Sequence, residues 1–154
     1  MSQFQKILAP FDFSPQSKHA LQFAADLARR YEAPITVVHV VDPHYFSVPE
    51  SYLLYTPTQL PQLMVGLEKQ LEPIKHELLA SNVMTVKTQV VQGRPFAEIV
   101  RLAHEDKYDL IVMGTHGRAG IAHALLGSVA ERVVRKAHCP VLTIRHPDQK
   151  LAHA

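Results

Sequence analysis

The sequence predicts an open parallel α/β sheet with helices on both faces, as a single domain over residues 1–146 with a polar tail at 147–154. Apolar, β-branched runs alternate with amphipathic ones from end to end, in the order βαβαβαβαβ. ITVVHVVD and DLIVMG are apolar almost throughout, as strands covered on both faces are. Every connection is long enough for a crossover between parallel strands, right-handed by the general rule.

The elements follow in chain order. KILAPFD, residues 6–12, reads as a short strand ending between Pro10 and Asp12. SPQSKHALQFAADLARRYE then opens a helix with Ser14 as N-cap and Pro15 at the first helical position. Ala20, Ala24, Leu27, Ala28 and Tyr31 form its buried stripe. ITVVHVVD, 35–42, is the second strand. Residues 60–81 carry Leu63, Leu67, Leu71, Ile74 and Leu78 at helical spacing, with a kink or break expected at Pro73. MTVKTQVV, 84–91, alternates and is β-branched, hence a strand.

GRPFAEIVRLAHE opens a helix with Pro95 in its first turn and Phe96, Ile99, Val100 and Ala103 on one face. DLIVMG, 109–114, is the fourth strand. SVAERVVRKA, 128–137, is a helix with an expected inner face of Val129, Val133, Val134 and Ala137. PVLTIR, 140–145, closes the pattern as a fifth strand.

Composition bounds the function. A chain of 154 residues with 47% apolar and 19% charged residues has the composition of an ordinary folded soluble domain. Its net charge of +2, without a Lys/Arg cluster interleaved with aromatics, argues against nucleic-acid binding. No apolar run is long enough for a membrane span, and Pro10 and Asp12 interrupt the only apolar stretch near the start. The lone Cys139 has no intrachain disulfide partner and fits a reducing cytoplasm; beside Pro140 it is expected to be buried and inert.

Four of the six glycines, Gly114, Gly117, Gly120 and Gly127, lie between the fourth strand and the last helix. In open parallel sheets, ligands bind beyond the carboxyl ends of the strands, where the strand order reverses. A helix start there presents unpaired N–H groups and the positive end of the dipole, which attract phosphate. Gly127 leaves that start unobstructed, and Ser128 is placed either to cap the helix or to donate its hydroxyl to an anion. Gly114 and Gly117 let the chain turn just past the strand, while Gly120 has flexibility as its only evident role. Neither GxxxxGK[ST] nor GxGxxG is present.

The run GTHGRAGIAHALLGSVAERVVRKAHCPVLTIR resembles the carboxyl-terminal signature of the universal stress protein family. The family's ATP-binding subgroup carries G-x2-G-x9-G-[S/T], matched here by Gly114, Gly117, Gly127 and Ser128. KILAPFDFSPQSKHAL resembles the family's first strand and helix, and the resemblance covers residues 3–146.

The resemblance implies a Rossmann-like, adenine nucleotide alpha hydrolase-like sheet of order 3-2-1-4-5. It implies Pro10 and Asp12 beside the adenosine, with Asp12 toward the ribose hydroxyls, and backbone groups of Val40 at the adenine edge. Met113 and Gly114 would pack near the ribose and first phosphate. Gly117, Gly127, Ser128 and Val129 would hold the phosphates through backbone N–H groups and the serine hydroxyl. From position alone, Asp12 also suits a cap on the following helix.

The implied ligand is ATP, with ADP and AMP as alternatives and Mg²⁺ as a phosphate-bound ion, since no carboxylate pair marks a protein site for the metal. The implied function is a cytoplasmic stress-response module in which the nucleotide regulates a homodimer joined through the exposed edge strand 140–145. A protein partner for that regulation is left unspecified. The loop offers backbone donors but no Lys, Gln and carboxylate set for phosphoryl transfer, so binding is expected rather than turnover. The alternative is a slow ATPase or an autophosphorylating enzyme using Ser128.

Arg118 could meet a phosphate but reads more simply as solvated. His116 and His123 lack metal-ligand spacing and read as polar loop residues. DPHYFSVPESYLLYTPTQ, 42–59, holds three of the five tyrosines, and loops of this length are often functional.

Overall fold

A computed structural model describes residues 4–43, 57–117 and 126–147. Arg118, Gly120 and His123, most of the 42–59 loop and nearly all of the polar tail lie outside the described residues.

Five parallel strands form one sheet in the order β3-β2-β1-β4-β5. They are β1 (Ile7–Pro10), β2 (Ile35–Val41), β3 (Val86–Gln92), β4 (Leu110–Gly114) and β5 (Val141–Ile144). The helices are α1 (Pro15–Tyr31), α2 (Leu60–Ala80), α3 (Pro95–Glu105) and α4 (Ser128–Lys136). Because successive strand side chains point to opposite faces, each central strand feeds two cores. Ile7, Ala9, Ile35, Val37, Leu110 and Val112 pack with α1 and α2. Leu8, Val38, Ile111 and Met113 pack with α3 and α4 on the other face.

Local chemistry sets the helix ends. Ser14 caps α1, its hydroxyl accepting from the Ser17 N–H at 3.1 Å, with Pro15 at the start as expected. Glu32 ends the helix in the left-handed region (φ 53°), its N–H turned back to the Ala28 and Arg29 carbonyls. Of the kink or break expected at Pro73, the break does not occur: α2 runs through it as one helix. Pro73 lies on the exposed face, where water can satisfy the carbonyl that loses its donor.

The inner face of α4 also differs from expectation. Ala130 and Val133 are buried, Val129 and Ala137 partly so, and Val134 is 46% exposed. A nine-residue helix presents only a narrow stripe to the sheet, and that stripe is centred on Ala130 and Val133.

Candidate functional site

The site begins with the way β1 ends. Ile7 and Phe11 direct their N–H groups at β2, to Pro34 O at 3.0 Å and Val38 O at 2.8 Å. The intervening even positions therefore face β4. Pro10 has no N–H to offer on that side. The β1–β4 pairing stops at Leu8↔Ile111, whereas β1–β2 continues to Pro10↔Val38. The strand ends are thus unlaced where the strand order reverses, the place at which such sheets take ligands.

Past Pro10 the chain turns sharply. Phe13 sits at φ 64°, a left-handed conformation that is an outlier for a bulky residue and a mark of local constraint. Inside this turn Asp12 Oδ1 accepts from the Ser14 N–H at 3.0 Å, and the Asp12 N–H donates to Ser17 Oγ at 3.3 Å. The helix cap is Ser14, so Asp12 serves the turn instead. Its other carboxylate oxygen lies against Gly117, where a Cβ would stand only 2.3 Å from Oδ2. Asp12 and Gly117, far apart in sequence, therefore meet across the gap between β1 and β4.

The chain leaving β4 is pinned on several sides. Gly114 is buried, and a Cβ there would come within 3.2 Å of His116 O and 3.3 Å of Gln16 O. The Thr115 N–H donates to Ile144 O at 3.0 Å, extending the β4–β5 pairing. His116 lies in the loop, as expected, but is buried there, at 6% exposure, with Nδ1 3.1 Å from Thr115 Oγ1.

Gly127 is the N-cap of α4, and among the described residues no side chain caps that helix. Its N–H donates to Thr115 O at 2.6 Å, and a Cβ there would lie 3.1 Å from the same oxygen and 3.4 Å from His116 Cα. This glycine lets the helix start dock on the backbone of 115–116, and its own N–H is already engaged. Ser128 is consequently not a cap. It is the first helical residue and is exposed, followed by half-buried Val129. The helix start and its positive dipole end thus sit directly beside the chain leaving β4.

On the other flank, Ile35 donates to Thr85 O and Val41 O accepts from Gly93, so odd residues of β2 face β3. Val40, between them, turns its N–H and C=O toward β1, past the last paired residue of that strand. Met113 is buried against the α3–α4 face, and Pro10 is half-buried at the strand end. Pro10, Asp12, Val40, Met113, Gly114 and Gly117 all lie at the carboxyl ends of β1, β2 and β4 or just beyond. Gly127, Ser128 and Val129 join them through the Gly127–Thr115 bond.

One residue of this region escaped the sequence reading. His39 directs Nδ1 at the Phe11 carbonyl, 2.8 Å away, and its ring packs edge-on to Phe13 with centroids 5.0 Å apart. A histidine inside an otherwise apolar strand was the available signal, since such a residue needs a partner.

Cys139 lies apart, just before β5 at the opposite end of the sheet. It is half-buried, and burial pushes its thiol above the usual range, leaving it a poor nucleophile. Among the described residues no group of three His, Cys, Asp or Glu is arranged to hold a metal, and no helix is long and apolar enough to cross a membrane.

The sequence model of the Universal stress protein family matches residues 3–145. A universal stress protein of Methanocaldococcus jannaschii is 35% identical over 148 residues, which cover 96% of this chain and 85% of the relative. The solved structure of a second protein from that organism, MJ0577, superposes with a TM-score of 0.82 at 31% identity, covering 96% of this chain and 99% of the other. A universal stress protein solved in complex with cAMP superposes with a TM-score of 0.69 at 26% identity, covering 94% of this chain and 98% of that one.

Proposed function

The chain belongs to the universal stress protein family, and from that premise we propose that it binds an adenine nucleotide, ATP before ADP or AMP, as a regulatory ligand. The observation that carries the proposal is the meeting of the Asp12 carboxylate with Gly117 between the unlaced ends of β1 and β4, beside a helix start that no described side chain caps. The proposed donors and acceptors suit a nucleotide from end to end. Val40 offers one N–H and one C=O to a base edge, Asp12 accepts from ribose hydroxyls, and the first N–H groups of α4 meet the phosphates.

Within this reading Ser128 supplies its hydroxyl, while Val129 contributes its N–H to the phosphates. Gly127 contributes by bringing the helix start close to Gly114 and Thr115, since its N–H is engaged. Gly117 keeps clear the space that a side chain would fill against Asp12. Pro10 and Met113 border the ribose. Mg²⁺ would ride on the phosphates rather than on protein carboxylates. The nucleotide acts as ligand and not as substrate, through different affinity for two states of the protein or its assembly.

The assembly proposed is a cytoplasmic homodimer through β5, an edge strand whose Leu142 is 38% exposed and whose outer side pairs with no other strand among the described residues. A regulatory protein partner would read that assembly. A thermal-shift series with ATP, ADP, AMP and Mg²⁺ tests the binding claim. Nucleotide at a hundred times its Kd should stabilise the fold by about 2.7 kcal/mol. An unchanged Tm with all of them would refute the proposal. Rapid phosphate release lost in Ser128→Ala would favour an enzyme instead.

A further inference from the structure

The β1–β2 pairing leaves one rung unmade, and a side chain meets the carbonyl of that rung. Phe11 donates to Val38 O, so parallel pairing would next have Phe11 C=O accept from the Val40 N–H. The register instead ends at Pro10↔Val38, and among the described residues no backbone bond joins Val40 N to Phe11 O. That carbonyl is met by His39 Nδ1 at 2.8 Å. A carbonyl only accepts, so His39 is the donor and its Nδ1 carries the proton. The ring is held in this pose edge-on by Phe13, which is itself edge-on to Phe11, with 5.0 Å between centroids in each pair. The left-handed backbone of Phe13 keeps its ring there.

We propose that His39 is a positioning residue for base recognition: by satisfying the Phe11 carbonyl it keeps the Val40 N–H out of the β-ladder and available to a ring-nitrogen acceptor of a purine edge. The same bond fixes the exit of β1, and with it the turn that presents Asp12. The inference rests on the nucleotide reading above, but the state of the Val40 amide can be measured without any nucleotide. Two substitutions separate the roles of the ring. His39→Asn places an amide nitrogen where Nδ1 stands and keeps the donor. His39→Gln and His39→Leu do not, one polar and one apolar, so a folding failure of either leaves the other.

The experiment is amide hydrogen exchange at Val40 by NMR on the ligand-free chain, paired with calorimetric ATP titration. In His39→Gln or His39→Leu the Val40 N–H should close onto Phe11 C=O, slowing its exchange at least about tenfold. ATP affinity should fall by roughly tenfold in those variants and stay within about threefold of wild type in His39→Asn. Unchanged Val40 exchange in both donor-lacking variants would overturn the inference, as would ATP affinity that holds when Val40 becomes protected. If wild type binds no ATP, the nucleotide reading falls and the exchange comparison alone decides whether His39 withholds that N–H from the ladder.

Discussion

Gly117→Ala isolates the contact on which the proposed site is built. Gly117 is exposed and its φ lies outside the left-handed range, so alanine imposes no backbone strain there. The added Cβ would stand 2.3 Å from Asp12 Oδ2, against the 3.0 Å floor that real Cβ contacts keep, so the carboxylate must retreat by at least about 0.7 Å. Its other oxygen is held by the Ser14 N–H at 3.0 Å, and that bond stretches or breaks as the group rotates away. A hydrogen bond from a ligand hydroxyl to a carboxylate contributes about 1.5–3 kcal/mol. Losing it weakens nucleotide binding by roughly tenfold to a hundredfold.

The contact is at the surface, so the ligand-free fold should keep its Tm to within about 4 °C. Calorimetric titration with ATP, beside a melting curve of the free protein, reads both quantities. An alanine variant binding ATP within twofold of wild type would refute the placement of Asp12 at the ligand. A collapse of the free protein would instead make Gly117 a folding residue.

Other substitutions probe the frame. Gly66→Ala places a methyl in open space within α2, so helix propensity alone should stabilise the protein by about 0.5–1 kcal/mol and raise Tm by a few degrees; a fall in Tm would show that α2 is packed differently. Gly127→Ala pushes against the backbone of Thr115 and His116 and should destabilise even the ligand-free protein by about 1–3 kcal/mol in urea unfolding. Tyr108 donates its hydroxyl to Thr36 at 2.8 Å, and Tyr108→Phe leaves that buried threonine without its donor, at a cost of about 1–2 kcal/mol.

Burial also raises the Tyr108 phenol above its usual value, outweighing the lowering by Thr36. The folded state therefore holds this proton to higher pH than the unfolded one. Its contribution is full below about pH 10 and lost as pH climbs through the folded-state value. Urea midpoints taken on both sides of that pH should fall more steeply in wild type than in Tyr108→Phe, and parallel curves would contradict the assignment.

The periodic parts of the fold were legible because burial imposes them. ILAP, ITVVHVV and LIVMG each had to be strands, and Ser14 and Pro15 announced the start of α1. Strand order was not written in the pattern; it followed from the family resemblance, and the sheet has that order. Pro73 does not end α2 because the carbonyl it leaves without a donor is exposed and can turn to water. Val134 misled because valine suits a core but the narrow contact stripe of α4 is centred on Ala130 and Val133.

At the proposed site, the glycine spacing singled out residues but not what each one does. Gly127 reads in sequence as room for phosphate, yet the nearest atoms are the protein's own Thr115 and His116. The pairing of Asp12 with Gly117, and the rung that His39 takes from Val40, arise only when distant segments fold together.

The central claim is that the crevice between β1 and β4 takes an adenine nucleotide held by Asp12. Calorimetric titration of the wild-type chain with ATP, repeated on Asp12→Ala, tests it most directly. Saturable binding in wild type that weakens at least about tenfold in Asp12→Ala is the predicted result. Heats of dilution alone in wild type, or equal affinity in the two proteins, would contradict it.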